Sequence, residues 1–164
     1  MPVLNNTDQA VPRIRIYSEG DALTLRTLFF YTVRTVNATD YNQAQLAAWA
    51  PKSYDIKAWA QRMAENKPFI AELNDIIVGF ADLQASGLID HFFCHHAYQG
   101  LGIGRALMEH IISIGRYKDL SRIYSAVSIT AKPFFQGFGF TVVKQQCVEI
   151  RGQQLTNYLM EKHL

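Results

Sequence analysis

The chain has 164 residues, 49% of them hydrophobic and 18% charged, with a formal net charge of +2. That is the profile of one ordinary globular domain, and it excludes a disordered chain. The near-neutral charge and the lack of a basic stripe speak against nucleic acid as a partner, and no run of 18 apolar residues suggests a membrane span. Residues 1–11 are polar and patternless and read as a loose N-terminal tail without a signal-peptide pattern. "RIRIY" (13–17) alternates and predicts a first strand. The next stretch, to about Asn37, predicts a helix with Asp21 as N-cap and Leu25, Leu28, Phe29, Thr32 and Val36 on one face. "DYNQAQLAAWAP" predicts a short helix stopped by Pro51. "SYDIKAWAQRMAEN" predicts a third, with Ile56, Trp59 and Met63 on one face.

Then the period changes. Strands are predicted at 68–73 and 76–84 around Asn74-Asp75, a two-residue hairpin signal. "GLIDHFFCHH" (87–96) predicts a third consecutive strand. A glycine run leads into a helix ending near Tyr117. A strand at 121–129, a short helix in "TAKPFFQGF" and a terminal hairpin turning at Arg151-Gly152 complete the chain. No repeat or linker divides it, so residues 1–164 are expected to form one domain. The element order suggests a mixed sheet with helices on both faces. Two cysteines, Cys94 and Cys147, are too few for a disulfide framework, and a reducing cytoplasm is the default setting.

The glycines at 100, 102 and 104 carry the chemistry. A helix N-terminus exposes unpaired N–H groups and partial positive charge, so it receives phosphate. Glycine lets a phosphate come close to the backbone, and Arg105 in the first turn adds a charge-assisted contact. A Walker loop would need Gly-Lys-Ser/Thr, which is missing. A G-x-G-x-x-G fingerprint would need a third glycine where Arg105 or Leu107 stands.

The spacing that fits is Q-x-x-G-x-G before a helix, at Gln99-Gly100-Leu101-Gly102-Ile103-Gly104. Here the chain resembles the GNAT acetyltransferase superfamily, in which this segment is the acetyl-CoA pyrophosphate loop. Upstream, Phe92-Phe93-Cys94-His95-His96-Ala97-Tyr98-Gln99 resembles the family's L-Y-V-x-P-x-Y-Q, with His96 at the usual proline. Downstream, Ser128-Ile129-Thr130-Ala131-Lys132-Pro133-Phe134-Phe135 resembles N-x-x-A-x-x-F-Y. "SITAKPFF", "GF" and "LTNYLMEK" look most like the small bacterial YafP-like branch.

The resemblance implies the α/β GNAT fold: a central mixed, mostly antiparallel sheet of about seven strands, helices on both faces and a splayed, V-shaped cofactor cleft. It implies acetyl-CoA as co-substrate, with no metal, and direct acetyl transfer to a primary amine of a small molecule or peptide. Phe92, Phe93 and Cys94 would hold the pantetheine arm by strand addition. Residues Gln99 to Arg105 would hold the pyrophosphate, and Ser128, Ala131, Phe134 and Phe135 the far side of the cofactor. Backbone N–H on the bulged strand would receive the oxyanion. Asp90 is the candidate general base or amine-binding group, although an ion-paired Asp is equally compatible with its place in the strand. Phe135 stands where many members carry an acidic tyrosine, so Tyr124 and Tyr158 become the substitute candidates. The acceptor pocket would draw on Tyr31, Arg34, Asn37, Asp40, Tyr41, Trp49 and Thr156. His91 is expected on the opposite strand face from Asp90 unless a bulge intervenes. His91, His95 and His96 point different ways on an extended strand, which disfavours zinc. Cys94 reads as an apolar filler. A homodimer built on the edge of the terminal hairpin, a non-catalytic acyl-CoA sensor, and an enzyme acting on a protein amine are the other expectations the sequence leaves open.

Overall fold

The computed structural model describes residues 11–164, so the tail expected at 1–11 lies, but for its last residue, outside the described residues. Strands β1 (Arg13–Ile16), β2 (Phe69–Leu73), β3 (Ile76–Ala81) and β4 (Phe92–Cys94) form a four-stranded antiparallel sheet in that order. Strands β5 (Arg122–Ser128), β6 (Thr141–Ile150) and β7 (Gln153–His163) form a second antiparallel sheet in the order β5-β7-β6. Helices α1 (Ala22–Val36), α2 (Gln43–Trp49) and α3 (Ile56–Asn66) precede β2, α4 (Ile103–Tyr117) follows β4, and α5 (Lys132–Gly137) follows β5. Seven strands and helices on both faces are what the sequence predicts.

The hairpin turns are the expected ones. Asn74 and Asp75 both take positive φ (50° and 63°), as a type I′ turn demands, and Arg151 and Gly152 do so at the terminal hairpin. Asp21 does start α1, but its carboxylate does not cap the helix. It turns back to accept from Ser18 N–H (2.8 Å) and from Arg15 Nη1 and Nη2 (2.8 and 2.9 Å). Ile56, expected on the buried face of α3, is exposed, because the core contacts of α3 begin one turn later at Trp59 and Met63.

Two apolar clusters sandwich the first sheet. Leu25, Leu28, Phe29 and Val33 of α1 pack with Met63, Ile70 and Phe80 on one side. Ile103, Leu107, Met108 and Ile111 of α4 pack with Ala71, Ala81, Ile123 and Met160 on the other. Gly79 lets α4 lie this close: a Cβ there would stand 2.9 Å from Ile103 and 3.1 Å from Leu107. The amphipathic period of α1 and α4 and the alternation of β2 and β3 thus point to the same layering.

The predicted strand at 87–96 is the main difference. Only Phe92–Cys94 is regular strand. Residues 87–89 instead join β5, through a parallel bridge between Leu88 and Tyr124 and bonds from Ile89 N–H to Tyr124 (2.8 Å) and Tyr124 N–H to Gly87 (3.0 Å). Further on, His91 and His95 pair with Asp82 and Val78 beside β3. The chain therefore leaves one sheet and enters the other at Asp90, and β4 and β5 splay apart beyond that point.

Tyr41, expected in the acceptor pocket, also bolts the second sheet to the helices. Its hydroxyl donates to the Thr156 carbonyl (2.5 Å) and accepts from Ile129 N–H (3.0 Å). Tyr41→Phe should therefore lower the free energy of unfolding by about 1–3 kcal/mol, since it orphans a buried N–H. Urea denaturation measures this, and an unchanged midpoint would contradict the bolt.

Candidate active site

The hand-over at Asp90 is a β-bulge built around one side chain. Asp82 pairs with His91, and the next contact on that edge joins Gln84 to Leu88. The strand carrying His91 thus advances three residues while its partner advances two, leaving one residue extra. Asp82, fully buried, fills the gap. Its Oδ1 accepts from Asp90 N–H (2.7 Å) and its Oδ2 from His91 N–H (3.0 Å). A bulge breaks strict alternation, so Asp90 and His91 both line the cavity. The reversal that the sequence reading reserved for a bulge is the geometry found.

Around the bulge lies a charged cluster. Asp90 accepts from Arg62 Nη2 (2.8 Å) and Nε (3.2 Å) and from Asn66 Nδ2 (2.9 Å). His91 Nδ1 stands 3.1 Å from Asp82 and 3.3 Å from Asp90. Burial pushes the Asp90 carboxyl up, but His91, Arg62 and Asn66 together push it further down, below its ordinary range. Asp82, Asp90 and His91 each offer an atom within 4.8 Å of the others. Arg62 and Asn66 already donate to the Asp90 oxygen of this group. Asp82, Asn66 and Arg62 escaped the sequence reading. A lone Asp at the end of an apolar strand was the available signal.

Beyond the bulge, β4 presents an open edge. Residues 91, 93 and 95 turn their peptide groups to β3. By alternation, Phe92 and Cys94 turn theirs toward β5, into the gap. The Cys94 carbonyl accepts from Thr32 Oγ1 and Gln99 Nε2 (both 2.9 Å). Gln99 also reaches the His95 carbonyl (3.2 Å), so its side chain ties the loop to the end of β4. Burial pushes the Cys94 thiol up to about 12, which removes it as a nucleophile and agrees with its reading as a filler.

The three glycines do two different things. Gly100 and Gly102 take positive φ (74° and 80°), and a Cβ on either would meet nothing within 4 Å. They are required by the backbone, and they leave open space in front of the α4 N-terminus. Gly104 is a packing glycine: its Cβ would lie 3.0 Å from the Phe134 ring. Arg105 is exposed and pairs with Glu109 one turn on (3.2 Å). Its guanidinium lies 5.2 Å from the Phe138 ring centroid.

One continuous cavity of about 1050 Å³ connects all of this. Its walls include Phe92, Phe93, Cys94, Gln99, Gly100, Gly102, Ile103, Gly104 and Arg105, then Ser128, Ala131, Phe134 and Phe135. Leu101 is not among the lining residues and is half exposed. At the other end stand Asn37, Tyr41, Trp49, Thr156 and Asp90. Arg34, Asp40 and Tyr31 are not in the wall. Arg34 donates to the Ala50 carbonyl, Asp40 accepts from Thr130, and Tyr31 packs beside His96. Tyr124 and Tyr158 are outside the wall as well. Tyr124 donates to Ser86 (3.2 Å), and the Tyr158 ring lies 4.3 Å from Lys132 Nζ. Ser128 Oγ is engaged by Asn37 (3.3 Å) and by Ala131 N–H (3.1 Å), so it closes the turn into α5.

A forked sheet, a glycine-opened helix N-terminus beside the fork and one cavity spanning both can be matched against known proteins. A model of the acetyltransferase (GNAT) domain matches residues 37–162. The chain belongs to the GNAT acetyltransferase family. It is 35% identical over 148 residues to the uncharacterized N-acetyltransferase YafP of Escherichia coli K12, covering 90% of this chain and 93% of that protein. A GCN5-related N-acetyltransferase from Rhodopseudomonas palustris superposes with a TM-score of 0.90 at 28% identity, over 94% of this chain and 97% of that one. The fold is shared with yncA, a putative acetyltransferase from Salmonella typhimurium solved with acetyl-CoA (TM-score 0.68, 18% identity, 94% of each chain). As a GNAT protein the chain is an acyltransferase. Among the described residues no helix is long and apolar enough to cross a membrane.

The charge cluster gives a pH test. A carboxyl depressed in the folded state stabilises the fold above its unfolded value, about pH 4, and that stabilisation is lost as pH falls through the folded value. Wild type should therefore exceed Asp90→Asn in unfolding free energy near pH 7, and the gap should close below about pH 4. Urea titrations at several pH values measure it. A gap that is the same at pH 3 and pH 7 would remove the ionised Asp90 from the cluster.

Proposed function

We propose that the protein transfers the acetyl group of acetyl-CoA to a primary amine of a small-molecule acceptor, as one domain working across the fork. The observation that carries this reading is the single cavity that joins an anion-accepting helix N-terminus, an unpaired strand edge and a carboxylate–histidine pair.

The residues fit the donor. Gly100 and Gly102 leave space for a pyrophosphate before the free N–H groups of α4. The outward peptide groups of Phe92 and the N–H of Cys94, whose carbonyl is already held by Thr32 and Gln99, offer bonds to an extended arm of amides, as an added strand would use them. Phe134 and Phe135 close the wall opposite. When bound, acetyl-CoA supplies an activated thioester, and the protein supplies position and proton handling.

Proton handling falls to His91 rather than Asp90. Two carboxylates at Nδ1 assign a proton to that nitrogen, which leaves Nε2 as the basic one. An amine must lose a proton before it attacks, and an imidazole held in one tautomer can take it, directly or through water. Asp90, depressed below the usual carboxylate range, is a poor base. It serves better as a fixed negative charge that attracts the incoming ammonium. The N–H of Phe92 or Cys94 faces the gap and can receive the developing oxyanion. Phe135 offers no proton, and Tyr124 and Tyr158 stand off the wall, so these residues supply no general acid. The two free thiols, Cys94 and Cys147, fit a cytoplasmic setting. β6 is an outer strand of its sheet, with Val142 and Val143 exposed, and is the edge a second copy would use.

The test is thiol release from acetyl-CoA against a panel of amines, run beside a CoA titration. Wild type should bind CoA and release thiol with one acceptor class. Gly102→Glu should lose CoA binding, because it adds bulk and negative charge at a positive-φ position. His91→Gln should keep CoA affinity and lose about 10²–10⁴-fold in kcat. CoA binding without release across a broad panel would turn the reading toward a sensor, and unchanged kcat in His91→Gln would remove the base.

A further inference from the structure

The acceptor end of the cavity holds a buried cation whose counter-charge is missing. Arg26 of α1 lines the cavity and is 5% exposed. Its guanidinium makes one hydrogen bond, from Nη2 to the Pro51 carbonyl (2.7 Å). Its Nε is buried without a partner. Among the described residues no carboxylate comes within ion-pair distance of it. The acid that shares this end of the cavity, Asp55, spends its carboxylate on Ala58 N–H (3.0 Å) at the start of α3.

What surrounds Arg26 is an aromatic box. Its Cζ lies 4.2 Å from the Tyr54 ring, 5.0 Å from Phe29 and 5.5 Å from Trp59. Rings hold a guanidinium flat and in place, but they do not replace an anion. A buried charge without an ion partner is costly, and Arg is the side chain suited to two-pronged recognition of a carboxylate. Arg151, at the turn between β6 and β7, lines the same wall and adds to the positive potential at Arg26. Trp59 also touches the reaction end: the His91 ring lies 5.7 Å from its centroid. One indole therefore borders both the lone cation and the proton-handling pair.

We infer that the acceptor is a small amine that carries a carboxylate, held by Arg26 while its ammonium faces Asp90 and His91. This rests on the acetyltransferase reading and adds the substrate class to it. A zwitterion of amino-acid size matches the charge layout, with Arg26 and Arg151 at one side of Trp59 and, at the other, the two carboxylates Asp82 and Asp90 beside the single cation Arg62. It also gives the remaining N–H groups of the two Nη atoms, which make one hydrogen bond between them, a two-pronged acceptor in place of an ion partner. A protein amine would bring no carboxylate at a fixed distance from its nitrogen.

Binding of product analogues to the CoA-loaded protein tests this without relying on turnover. The probes are N-acetyl amino acids with small and aromatic side chains, each beside its carboxamide, and inorganic phosphate. Wild type should prefer the acid over the amide by about 10- to 100-fold in at least one pair. Arg26→Gln should erase that preference and leave CoA affinity unchanged. Arg26→Lys keeps the charge but loses the fork, and should retain only part of the preference. Equal affinity for acid and amide in every pair would overturn the inference, and so would a preference that survives Arg26→Gln. Phosphate binding tighter than any acid, and lost in Arg26→Gln, would overturn the carboxylate in favour of a phosphorylated acceptor. If Arg26→Gln fails to fold, the wild-type acid-to-amide ratio and Arg26→Lys still decide. A protein that selects acids but binds no CoA would break the acetyltransferase reading instead.

Discussion

The site depends on the buried carboxylate of Asp82 standing where a backbone carbonyl would stand in a regular ladder. By accepting both the Asp90 and His91 N–H groups it holds the extra residue of the bulge. Without that acceptor two buried donors would be unsatisfied, at a cost of about 1–3 kcal/mol each. With it, the chain passes from β5 to β3 within a few residues. Everything functional follows from that transfer. The sheets part, β4 acquires an open edge, and two side chains that should face opposite ways share one cavity.

The same carboxylate works twice. One oxygen of Asp82 receives a backbone donor and also faces His91 Nδ1 at 3.1 Å. The group that shapes the fork thus also orients the imidazole beside it. Asp90 is restrained from outside by Arg62 and Asn66, which keep its charge present and its orientation fixed. In the proposed reaction His91 as base and Asp90 as fixed anion stand side by side because their environments differ, a separation of roles common to acid–base sites.

Much of this was legible in the sequence, and the remainder was not for definable reasons. Hydrophobic period and turn chemistry located the helices, the two hairpins and the glycine loop, because these depend on residues near one another in the chain. The loop's glycines came from motif spacing, and the neighbouring Phe92, Phe93 and Cys94 from the resemblance to the GNAT family. The strand at 87–96 was overextended because its two halves pair with different sheets, and alternation alone shows no such seam. The face of His91 was left conditional on a bulge for the same reason. Asp82 lies eight residues before Asp90, and its one local sign, a lone acid at the end of an apolar strand, does not name the two N–H groups it accepts from. Arg26 drew no reading from the sequence, because its burial comes from Tyr54 and Trp59, which only tertiary packing brings to it. Tyr124 and Tyr158 were named for their hydroxyl chemistry, but Tyr124 bonds Ser86 and the Tyr158 ring lies against Lys132, outside the cavity wall.

On the proposed function, the fork leaves the peptide groups of Phe92 and the N–H of Cys94 open to an added strand. Amide hydrogen exchange, read residue by residue with and without CoA, measures this directly. In the free protein the Phe93 and His95 amides should exchange slowly, being bonded to β3, while Phe92 and Cys94 exchange fast. Saturating CoA should slow Phe92 and Cys94 and leave Phe93 and His95 nearly unchanged. Saturation that leaves Phe92 and Cys94 fast would contradict the account, because the fork would then not be what holds the donor.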